Sequence, residues 1–594
     1  MPDVPCLSVL FPPKKSTKNR ALLYKPVLVC TIDHIMAATE TRRGGKYMLP
    51  LLRLMSSDLV IDEVDDFDPT DLVAITRLVH LAGMLGRKVM ISSATIPPAL
   101  AQGFFHAYWA GWRIHTAFKQ SSAAPIHAMW VDEFKTRIAH LPYATQEPSQ
   151  NAFQAAHTRF IEIRALALRQ QPIKHLAYII PCADLLPENT GTKIEILESK
   201  QEAYFERIRE HILQLHTMHH SIDLQTGKKV SFGVVRVANI GPCAALTQYL
   251  LRADWPSHSA PRIMAYHSRQ ILLLRSEQEC HLDAVLNRKE KPEDSPAAFA
   301  HPIIRAHLDE VEAEHVLFIL VATPVEEVGR DHDFDWAIIE PSSYRSIIQL
   351  AGRVWRHRDA PNTLITPNIA ILQYNLKALQ NKEPAFAHPG YEKSKGSHFH
   401  LKSKDMVALL GNPATSFPIN AIPRIQAATA LQVQDRLADL EHAVLHHELT
   451  NTTKAGASSL NGWLKECWWL TALPLRLKPF RKSQPQIQLC AEAKGQSFEF
   501  CIPDGDGAWL PCTQVMNIHI KQLDAKDRER LWLKRDYVAL LTQRAEQQCT
   551  DADALAYEIT KQSHRYGELM LPEPQAGNAF HYSDDLGLIK TQNN

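Results

Sequence analysis

The stretch Leu59-Val60-Ile61-Asp62-Glu63-Val64-Asp65 decides the fold class of this 594-residue chain. Three apolar residues followed by acidic ones indicate a buried strand that delivers carboxylates at its carboxyl end. In α/β domains, ligands bind at the carboxyl ends of the strands. In a nucleotide-hydrolysing domain, Asp62 would hold Mg²⁺ through water, and Glu63 would orient and deprotonate the attacking water. Taken alone, an acidic run that continues through Asp68 is more often a solvated loop.

Segments on either side of this stretch alternate between strand and helix patterns, which predicts an α/β fold. Apolar runs predict parallel strands, and a helix is expected from about Asp71 to Gly86. After a helical, charged connector from about Ala152 to His220, a second α/β block ends in a helix from Ser343 to about His357. The strands expected in the two blocks are Val27 to Cys30, Leu59 to Ile61, Val89 to Ile91, Val230 to Val237, Arg262 to Tyr266, Val316 to Ala322 and Trp336 to Ile339.

The last third of the sequence predicts a linker and an α+β C-terminal domain. Pro384 to Pro423 has linker composition, and a helix is expected from about Ala427 to His447. Strands at Ile487 to Ala491 and Phe498 to Ile502 precede a turn at 504–507, and another helix is expected near Asp524 to Arg544. The predicted domains are 1–125 (first α/β domain), 126–228 (helical connector), 229–375 (second α/β domain), 376–484 (linker and helix) and 485–594 (C-terminal domain).

Composition excludes several classes of protein. The hydrophobic fraction of 45% and charged fraction of 22% are those of a folded globular chain, not a disordered one. Lys+Arg 65 against Asp+Glu 64 gives a net charge of +1, so a nucleic-acid site must be a local stripe. No run reaches the ~18 apolar residues of a spanning helix. The ten cysteines form no C-x-x-C pair, which predicts buried free thiols in a reducing, cytoplasmic compartment.

Two further strand ends carry candidate functional residues. Ser92-Ser93-Ala94-Thr95 follows a predicted strand and places hydroxyls at the same edge as Asp62, although helix-capping is the commoner role of such residues. Val321-Ala322-Thr323-Pro324-Val325-Glu326-Glu327-Val328-Gly329-Arg330-Asp331 follows a strand of the second block. The hydroxyls of the first stretch could connect a phosphate site to a bound nucleic-acid strand.

The stretch Gln349-Leu350-Ala351-Gly352-Arg353-Val354-Trp355-Arg356 is predicted to lie on the helix of the second block. Arg353 and Arg356 are three residues apart and would share one helix face. Forked guanidinium groups there could bind a γ-phosphate as an arginine finger. A basic, solvated helix face is the plainer interpretation.

The order of these four patterns is more specific than any one of them, and it resembles superfamily 2 helicases, whose two RecA-like domains close on ATP. Within that superfamily, 27–34, 62–68, 230–233 with 236–240, and 266–269 resemble the helicase-nuclease of type I CRISPR interference, subtype I-F. The resemblance covers about Ala21 through the arginine helix, and more loosely the C-terminus. It implies an α/β fold of two RecA-like domains, the first one incomplete.

The resemblance also assigns roles to residues. It implies that the nucleotide and Mg²⁺ contact Asp62, Glu63, Gly329, Asp331, Gln349, Arg353 and Arg356, with Asp331 and Glu327 linking nucleotide to DNA. It implies that the DNA strand, or the loops supporting its track, involves Thr31, Asp33, Ser93, Thr95, Arg236, Asn239, His267, Arg269 and Thr323. The implied partners are single-stranded DNA, an RNA-guided surveillance complex and the CRISPR adaptation integrase.

One element of the family is missing from the sequence. A Gly-Lys-Thr or Gly-Lys-Ser loop must cradle the phosphates ahead of the acidic strand. Gly45-Lys46 and Gly227-Lys228 are followed by Tyr47 and Lys229, and Gly44-Gly45-Lys46-Tyr47 is predicted to be a loop after Asp33. We therefore expect the chain to begin inside the first RecA-like domain, with the missing half, including the His-Asp nuclease and its transition metal, located upstream.

Three functional hypotheses follow from the sequence. The first is an ATP-dependent single-stranded DNA translocase of CRISPR defence that is a fragment inactive alone. The second is a truncated or split product that binds DNA or partner subunits without hydrolysing ATP. The third is a superfamily 2 helicase outside CRISPR. The single His-Asp dipeptide, His332-Asp333, belongs to the Gly329 motif and is not predicted to bind a transition metal.

Overall fold

The computed structural model describes residues 16–39, 45, 47–119, 125–141, 148–186, 193–291, 294–327, 329–358, 366–466, 468, 471–481, 486–504, 508–549, 552–573 and 578–591. Gly44 and Lys46 of the predicted loop, and 505–507 of the predicted turn, lie outside these residues. The chain divides into two compact units. The first comprises 1–171, 386–402 and 421–482, and the second comprises 172–385, 403–420 and 483–594.

The structure has the following regular elements. The α-helices are α1 (Ser16–Tyr24), α2 (Asp33–Met36), α3 (Met48–Ser56), α4 (Pro69–Met84), α5 (Pro98–Phe118), α6 (Pro148–Arg169), α7 (Lys193–Met218), α8 (Ile240–Arg252), α9 (Leu272–Leu286), α10 (Pro302–Glu310), α11 (Tyr344–Ala351), α12 (Leu376–Leu379), α13 (Met406–Leu409), α14 (Ile422–Ile425), α15 (Leu437–Leu449), α16 (Leu460–Lys465), α17 (Leu473–Leu477), α18 (Ala525–Glu529), α19 (Tyr537–Glu546) and α20 (Ala552–Tyr566). The β-strands are β1 (Leu59–Ile61), β2 (Val89–Ile91), β3 (Ile126–Val131), β4 (Thr136–Leu141), β5 (Leu176–Ile180), β6 (Ser221–Ile222), β7 (Lys229–Arg236), β8 (Ser259–Tyr266), β9 (His315–Ala322), β10 (Trp336–Ile339), β11 (Ile369–Leu372), β12 (Phe417–Pro418), β13 (Gln486–Lys494), β14 (Ser497–Pro503), β15 (Trp509–Pro511), β16 (Ile518–Ile520), β17 (Glu568–Pro572), β18 (Phe580–Ser583) and β19 (Gly587–Lys590).

The first unit contains a parallel pair of strands, β1 and β2, in which Leu59, Val60 and Ile61 face Val89, Met90 and Ile91. Helix α4 between them begins with Pro69 in its first turn, where the missing N–H costs nothing, and is buried from Leu72 to Gly83. Both strands and this helix confirm the sequence prediction. The carboxyl ends of β1 and β2 therefore lie side by side.

The strand predicted at Val27 to Cys30 is wrong. The structure assigns no strand there, and Val27 and Val29 are 77% and 91% exposed. A β-strand needs a neighbour to satisfy its backbone groups, and among the described residues β1 pairs only with β2. An antiparallel hairpin of β3 and β4 instead occupies the start of the segment predicted to be a helical connector.

The second unit is built on one large sheet with the strand order β12-β5-β11-β10-β7-β9-β8, and β6 pairs with β7. Strands β5, β11, β10, β7, β9 and β8 run parallel. Strands β7 to β11 are almost wholly buried, as expected of a parallel sheet covered on both faces. The four strands predicted in this block are confirmed.

Four other predictions are corrected by the structure. The helical connector contains β5, an apolar run that joins the sheet beside β11. The helix predicted from Ser343 to His357 ends at Ala351, where Gly352 caps it and Trp355 takes a left-handed φ of 51°. The helix predicted from Ala427 begins at Leu437. The helix predicted near Asp524 to Arg544 is two helices, α18 and α19.

The C-terminal segment belongs to the second unit. Its two sheets, β15-β14-β13-β17 and β16-β18-β19, share a hydrophobic core with Ile271, Leu273 and Leu274 at the start of α9. A β-bridge joins Ile263 of β8 to Leu531. The buried free thiols predicted from the sequence are found at Cys182, Cys243, Cys490, Cys501 and Cys512. Among the described helices, none is long and apolar enough to cross a membrane.

Candidate functional site

The acidic cluster of the first unit lies at the carboxyl end of β1. Asp62 and Glu63 are both exposed, and the Glu63 N–H donates to Asp62 Oδ1 at 3.1 Å. Glu63 has φ 49° and ψ 45°, a left-handed conformation that costs a non-glycine residue about 1–2 kcal/mol. Strain of this kind is concentrated at functional sites. Two exposed carboxylates at a sheet edge suit a hydrated Mg²⁺, which prefers oxygen ligands.

Buried contacts hold the ends of β1 and β2 together. Ser92 N–H donates to Ile61 O at 2.9 Å, and the Thr95 hydroxyl donates to Asp65 Oδ2. Asp65 and Thr95 are 2% and 5% exposed. The hydroxyl of Ser93 is buried and has no hydrogen-bond partner among the described residues.

A buried arginine from a distant part of the sequence reaches the same cluster. Arg424 of α14 is 2% exposed, and its Nε is 3.9 Å from Asp65 Oδ2. The same guanidinium donates to Glu441 and, at 3.2 Å, to the hydroxyl of Tyr391. Burial disfavours the charge, but these groups outweigh it and raise the pKa of Arg424. Arg424 is therefore a charged support beneath the acidic edge.

Thr31 and Asp33, which the sequence assigned to the DNA strand, are exposed at the start of α2. Asp33 Oδ2 accepts a hydrogen bond from Arg481 Nη1 at 3.0 Å. Arg481 N–H also donates to Asp71 Oδ1 at 2.8 Å, so Arg481 connects α2 to α4. Both DNA-binding assignments remain predictions.

In the second unit, Arg236 ends β7 and is 1% exposed. It donates to Glu327 Oε1 at 2.6 Å, to Glu340 O at 2.6 Å and to Ser342 Oγ at 2.7 Å. This burial favours support of the loops over direct DNA contact. Asn239 is half-buried immediately before α8, and Thr323 follows β9 with its N–H bonded to Tyr266 O at 3.1 Å.

His267 and Arg269 lie in the loop after β8. His267 is fully buried, and its Nε2 is 2.8 Å from Leu586 O. Arg269 is half-buried, and burial lowers the pKa of its guanidinium. No carboxylate among the described residues forms an ion pair with Arg269, so its charge is available to an anion.

The predicted arginine pair does not share a helix face, because α11 ends at Ala351 before either residue. Gln349 lies on the last turn of α11, half-buried. Arg353, which is 7% exposed, donates from Nη2 to Glu327 O at 2.8 Å. Arg356 is exposed and donates from Nε to Asp331 Oδ1 at 2.6 Å. Both arginines therefore contact the loop that follows β9.

The loop after β9 contains a glycine with a positive φ and several charged or hydrogen-bonded side chains. Gly329 has φ +66°, a conformation that favours glycine. Partial burial would raise the pKa of Asp331, but the hydrogen bond from Arg356 outweighs it and the pKa is lowered. His332 lies between Glu326 Oε1 at 2.7 Å and Asp283 Oδ1 at 3.0 Å. Within the described residues, no group of His, Cys, Asp or Glu has the arrangement of a metal site.

Three features of the site were missed by the sequence analysis. Asp65 was read as part of the acidic run but was not selected, although Asp65 and Thr95 each lie four residues beyond the end of a predicted strand. Arg358, which pairs with Asp333 at 2.7 Å and Asp335 at 2.7 Å, belongs to a visible basic run. Arg424 has no local sequence signal, because its partners are distant along the chain.

The fold is α/β with parallel strands in both units, and several candidate site residues, among them Asp62 and Thr323, follow strand ends. Residues 229–359 match the family described as CRISPR-associated nuclease/helicase Cas3, C-terminal. The chain is 37% identical over 585 residues to the CRISPR-associated nuclease/helicase Cas3 subtype I-F/YPEST of Pseudomonas aeruginosa, covering 96% of this chain and 50% of that protein. It is 34% identical to the protein of the same description from Pectobacterium atrosepticum, covering 95% of this chain and 49% of that one.

The chain is thus similar to the Cas3 proteins of subtype I-F/YPEST over nearly its whole length, as the sequence motifs predicted. It spans about half the length of these curated relatives. Among solved structures, T. fusca Cas3 with AMPPNP is similar at a TM-score of 0.46 and 14% identity, covering 96% of this chain and 58% of that one.

Proposed function

We propose that this chain supplies the helicase portion of a Cas3-type enzyme that moves along single-stranded DNA by hydrolysing ATP in CRISPR defence. The observation that carries the proposal is the alignment of 96% of the chain with Cas3 relatives at 37% identity. The geometry at the carboxyl end of β1 is consistent with it, because Asp62 and Glu63 are exposed there. Recruitment by an RNA-guided surveillance complex and contact with the adaptation integrase are part of the same proposal.

The residues of this chain would divide the work as follows. Asp62 would hold the hydrated Mg²⁺, and Glu63 would accept a proton from the attacking water. Arg353 and Arg356 would contact the phosphates, with Gln349, Gly329 and Asp331 shaping their loop. ATP with Mg²⁺, when bound, supplies the free energy of strand movement.

The sequence contains no Gly-Lys-Thr or Gly-Lys-Ser. We therefore propose that the phosphate-binding loop reaches the acidic edge from a polypeptide segment outside these 594 residues. The alternative is that the chain binds DNA or partner subunits without hydrolysing ATP. The test includes this alternative because the chain spans about half the length of its curated relatives. A helicase acting outside CRISPR is the third outcome.

The test measures ATP hydrolysis by the chain with and without single-stranded DNA. The same assay is repeated with the part of the Pseudomonas aeruginosa relative that lies outside the alignment, supplied as a second polypeptide. DNA-stimulated turnover that is lost in Glu63→Gln supports the proposal. Glu162→Gln, an exposed carboxylate of α6 in the same unit, is the matched control and should retain turnover.

Strand binding without turnover in every combination would instead establish the binding-only alternative. The CRISPR role is tested separately by plasmid loss in cells carrying a guide RNA against the plasmid. Equal plasmid loss with wild-type chain and with Glu63→Gln would contradict a role for its ATPase in interference.

A further inference from the structure

The last hairpin of the chain contacts the loop that follows β8. This loop, residues 267–269, contains two of the predicted DNA-site residues. His267 Nε2 is 2.8 Å from the carbonyl oxygen of Leu586, and Leu588 N–H donates to Arg269 O at 2.8 Å. Two main-chain groups of one hairpin thus bind both ends of a three-residue loop.

The protonation of His267 follows from its partners. The Arg269 N–H donates to Nδ1 at 3.2 Å, so Nδ1 is an acceptor and Nε2 carries the proton. Burial lowers the pKa of His267 to about 4, so the ring is neutral at pH 7. In this tautomer the Nε2–H group donates a hydrogen bond to Leu586 O, so both ring nitrogens of His267 have a partner.

Gly587 allows the hairpin to approach this closely. Its φ of +72° favours glycine. A Cβ atom there would lie 2.3 Å from Arg269 O and 2.9 Å from His267 Cε1. The first of these is a backbone atom and cannot move without moving the loop. Any side chain at 587 must therefore displace either the loop or the hairpin.

The hairpin is itself anchored to α9 and β8 within the second unit. Arg535 is 3% exposed and donates to Asp585 O at 2.8 Å and to Gln278 Oε1 at 2.6 Å. Gln278 in turn donates to Ala265 O in β8 at 2.9 Å, two residues before the loop. Leu588 is fully buried in the core that contains Ile271. The hairpin is a fixed support and not a mobile tail.

We propose that the segment Leu586–Leu588 is a positioning element for the 267–269 loop and holds Arg269 for contact with a phosphate of single-stranded nucleic acid. The inference rests on the proposed function. Arg269 is suited to this role because it is half-buried and forms no ion pair within the described part of the chain. A guanidinium held in place loses less freedom on binding a phosphate than a flexible one.

The test compares Gly587→Ala with Gly495→Ala in the full chain. Gly495 is the matched control, because it has φ +65° but nothing within 4 Å of its Cβ position. Hydrogen exchange of the 266–270 amides reports on the loop, and anisotropy of a labelled oligothymidylate reports on strand binding. We expect faster loop exchange and several-fold weaker binding in Gly587→Ala only. The slope of log affinity against log salt should decrease by about 0.7, the value for one phosphate contact on a single strand.

Arg269→Gln provides an independent variant that leaves the hairpin untouched, and it should lose the same affinity without faster loop exchange. If Gly587→Ala fails to fold, His267→Phe removes the donor to Leu586 O and takes its place. Loop exchange or oligothymidylate affinity unchanged from the Gly495→Ala control would overturn the inference. If wild-type protein binds no oligothymidylate, the proposed function fails together with the role of Arg269, and faster loop exchange in Gly587→Ala would then show only that the hairpin supports the loop.

Discussion

The hydroxyl of Thr95 donates a hydrogen bond to the carboxylate of Asp65, and both side chains are buried. One residue follows β1 and the other follows β2, so the bond ties together the two strand ends that carry the acidic edge. Arg424 lies 3.9 Å from the same carboxylate oxygen and neutralises it. The exposed pair Asp62 and Glu63 is thus built on a buried charged cluster.

Replacing Arg424 with Met should lower the free energy of unfolding strongly. The change leaves Asp65 and Glu441 buried without their cation, and breaking a buried ion pair in this way costs about 3–5 kcal/mol. Chemical denaturation checks the effect. Arg159→Met, at an exposed position of α6, is the control and should change stability by less than about 0.5 kcal/mol. A similarly small change in Arg424→Met would contradict a supporting role.

Arg236→Met should also destabilise the chain, because Glu327 is 5% exposed and would lose its partner. The expected loss is again about 3–5 kcal/mol. The double variant Arg236→Met with Glu327→Met should be more stable than Arg236→Met alone, since no unpaired charge is then buried. Denaturation of the three proteins gives the comparison. A double variant at least as unstable as the single one would argue that the arginine acts mainly through Glu340 O and Ser342.

Arg356→Gln should leave stability almost unchanged and lower ATP turnover. Its ion pair with Asp331 is solvent-exposed, and such pairs contribute about 0–1 kcal/mol. The unfolding midpoint should therefore hardly change. If Arg356 contacts the γ-phosphate, DNA-stimulated ATP turnover should fall by about 10³-fold. Turnover within a factor of a few of wild type would remove Arg356 from the phosphate site.

Stability should fall in mild acid because several histidines are buried and neutral. Burial lowers the pKa of His216 to about 3 and of His80, His157 and His281 to about 4. Their pKa values are below the unfolded value of 6.5, so the unfolded chain binds more protons. These histidines do not lower the free energy of unfolding above pH 6.5. As the pH falls from 6.5 towards 4, the unfolded chain is protonated first, and the free energy of unfolding decreases. Thermal unfolding at pH 7, 6 and 5 should show a steadily falling midpoint; equal midpoints at pH 7 and 5 would contradict this.

Sequence reasoning identified four strands of the large sheet, β7, β8, β9 and β10, because each is a continuous apolar run. It failed at Val27 to Cys30, an equally apolar run, because pairing depends on a neighbour that local pattern does not reveal. It missed β5 because Leu176–Ile180 is short and stands among prolines and charged helical residues. The arginine helix was overextended because apolar spacing continues past Gly352, whereas the backbone turns there to pair Val354 with Phe334.

The candidate site was predictable to the extent that it follows strand ends. Asp62, Glu63, Ser93 and Thr95 lie where parallel strands finish, as sheet geometry requires. Their functional roles remain predictions. Two contacts, Arg424 with Asp65 and Leu586 with His267, join residues that are far apart in sequence. Only tertiary packing brings these residues together. Long-range contacts of this kind produce no periodicity or motif in the sequence.

Among the described strands, β8 is the last on its side of the large sheet, and Leu531 covers part of its edge. Ile263 N–H donates to Arg530 O at 2.8 Å, and Trp532 N–H donates to Ile263 O at 3.0 Å. Unpaired edge strands recruit strands from other molecules. A chain shortened before Ala525 would expose these main-chain groups on an apolar parallel sheet. Chains truncated before Ala525 should therefore self-associate during expression through this edge.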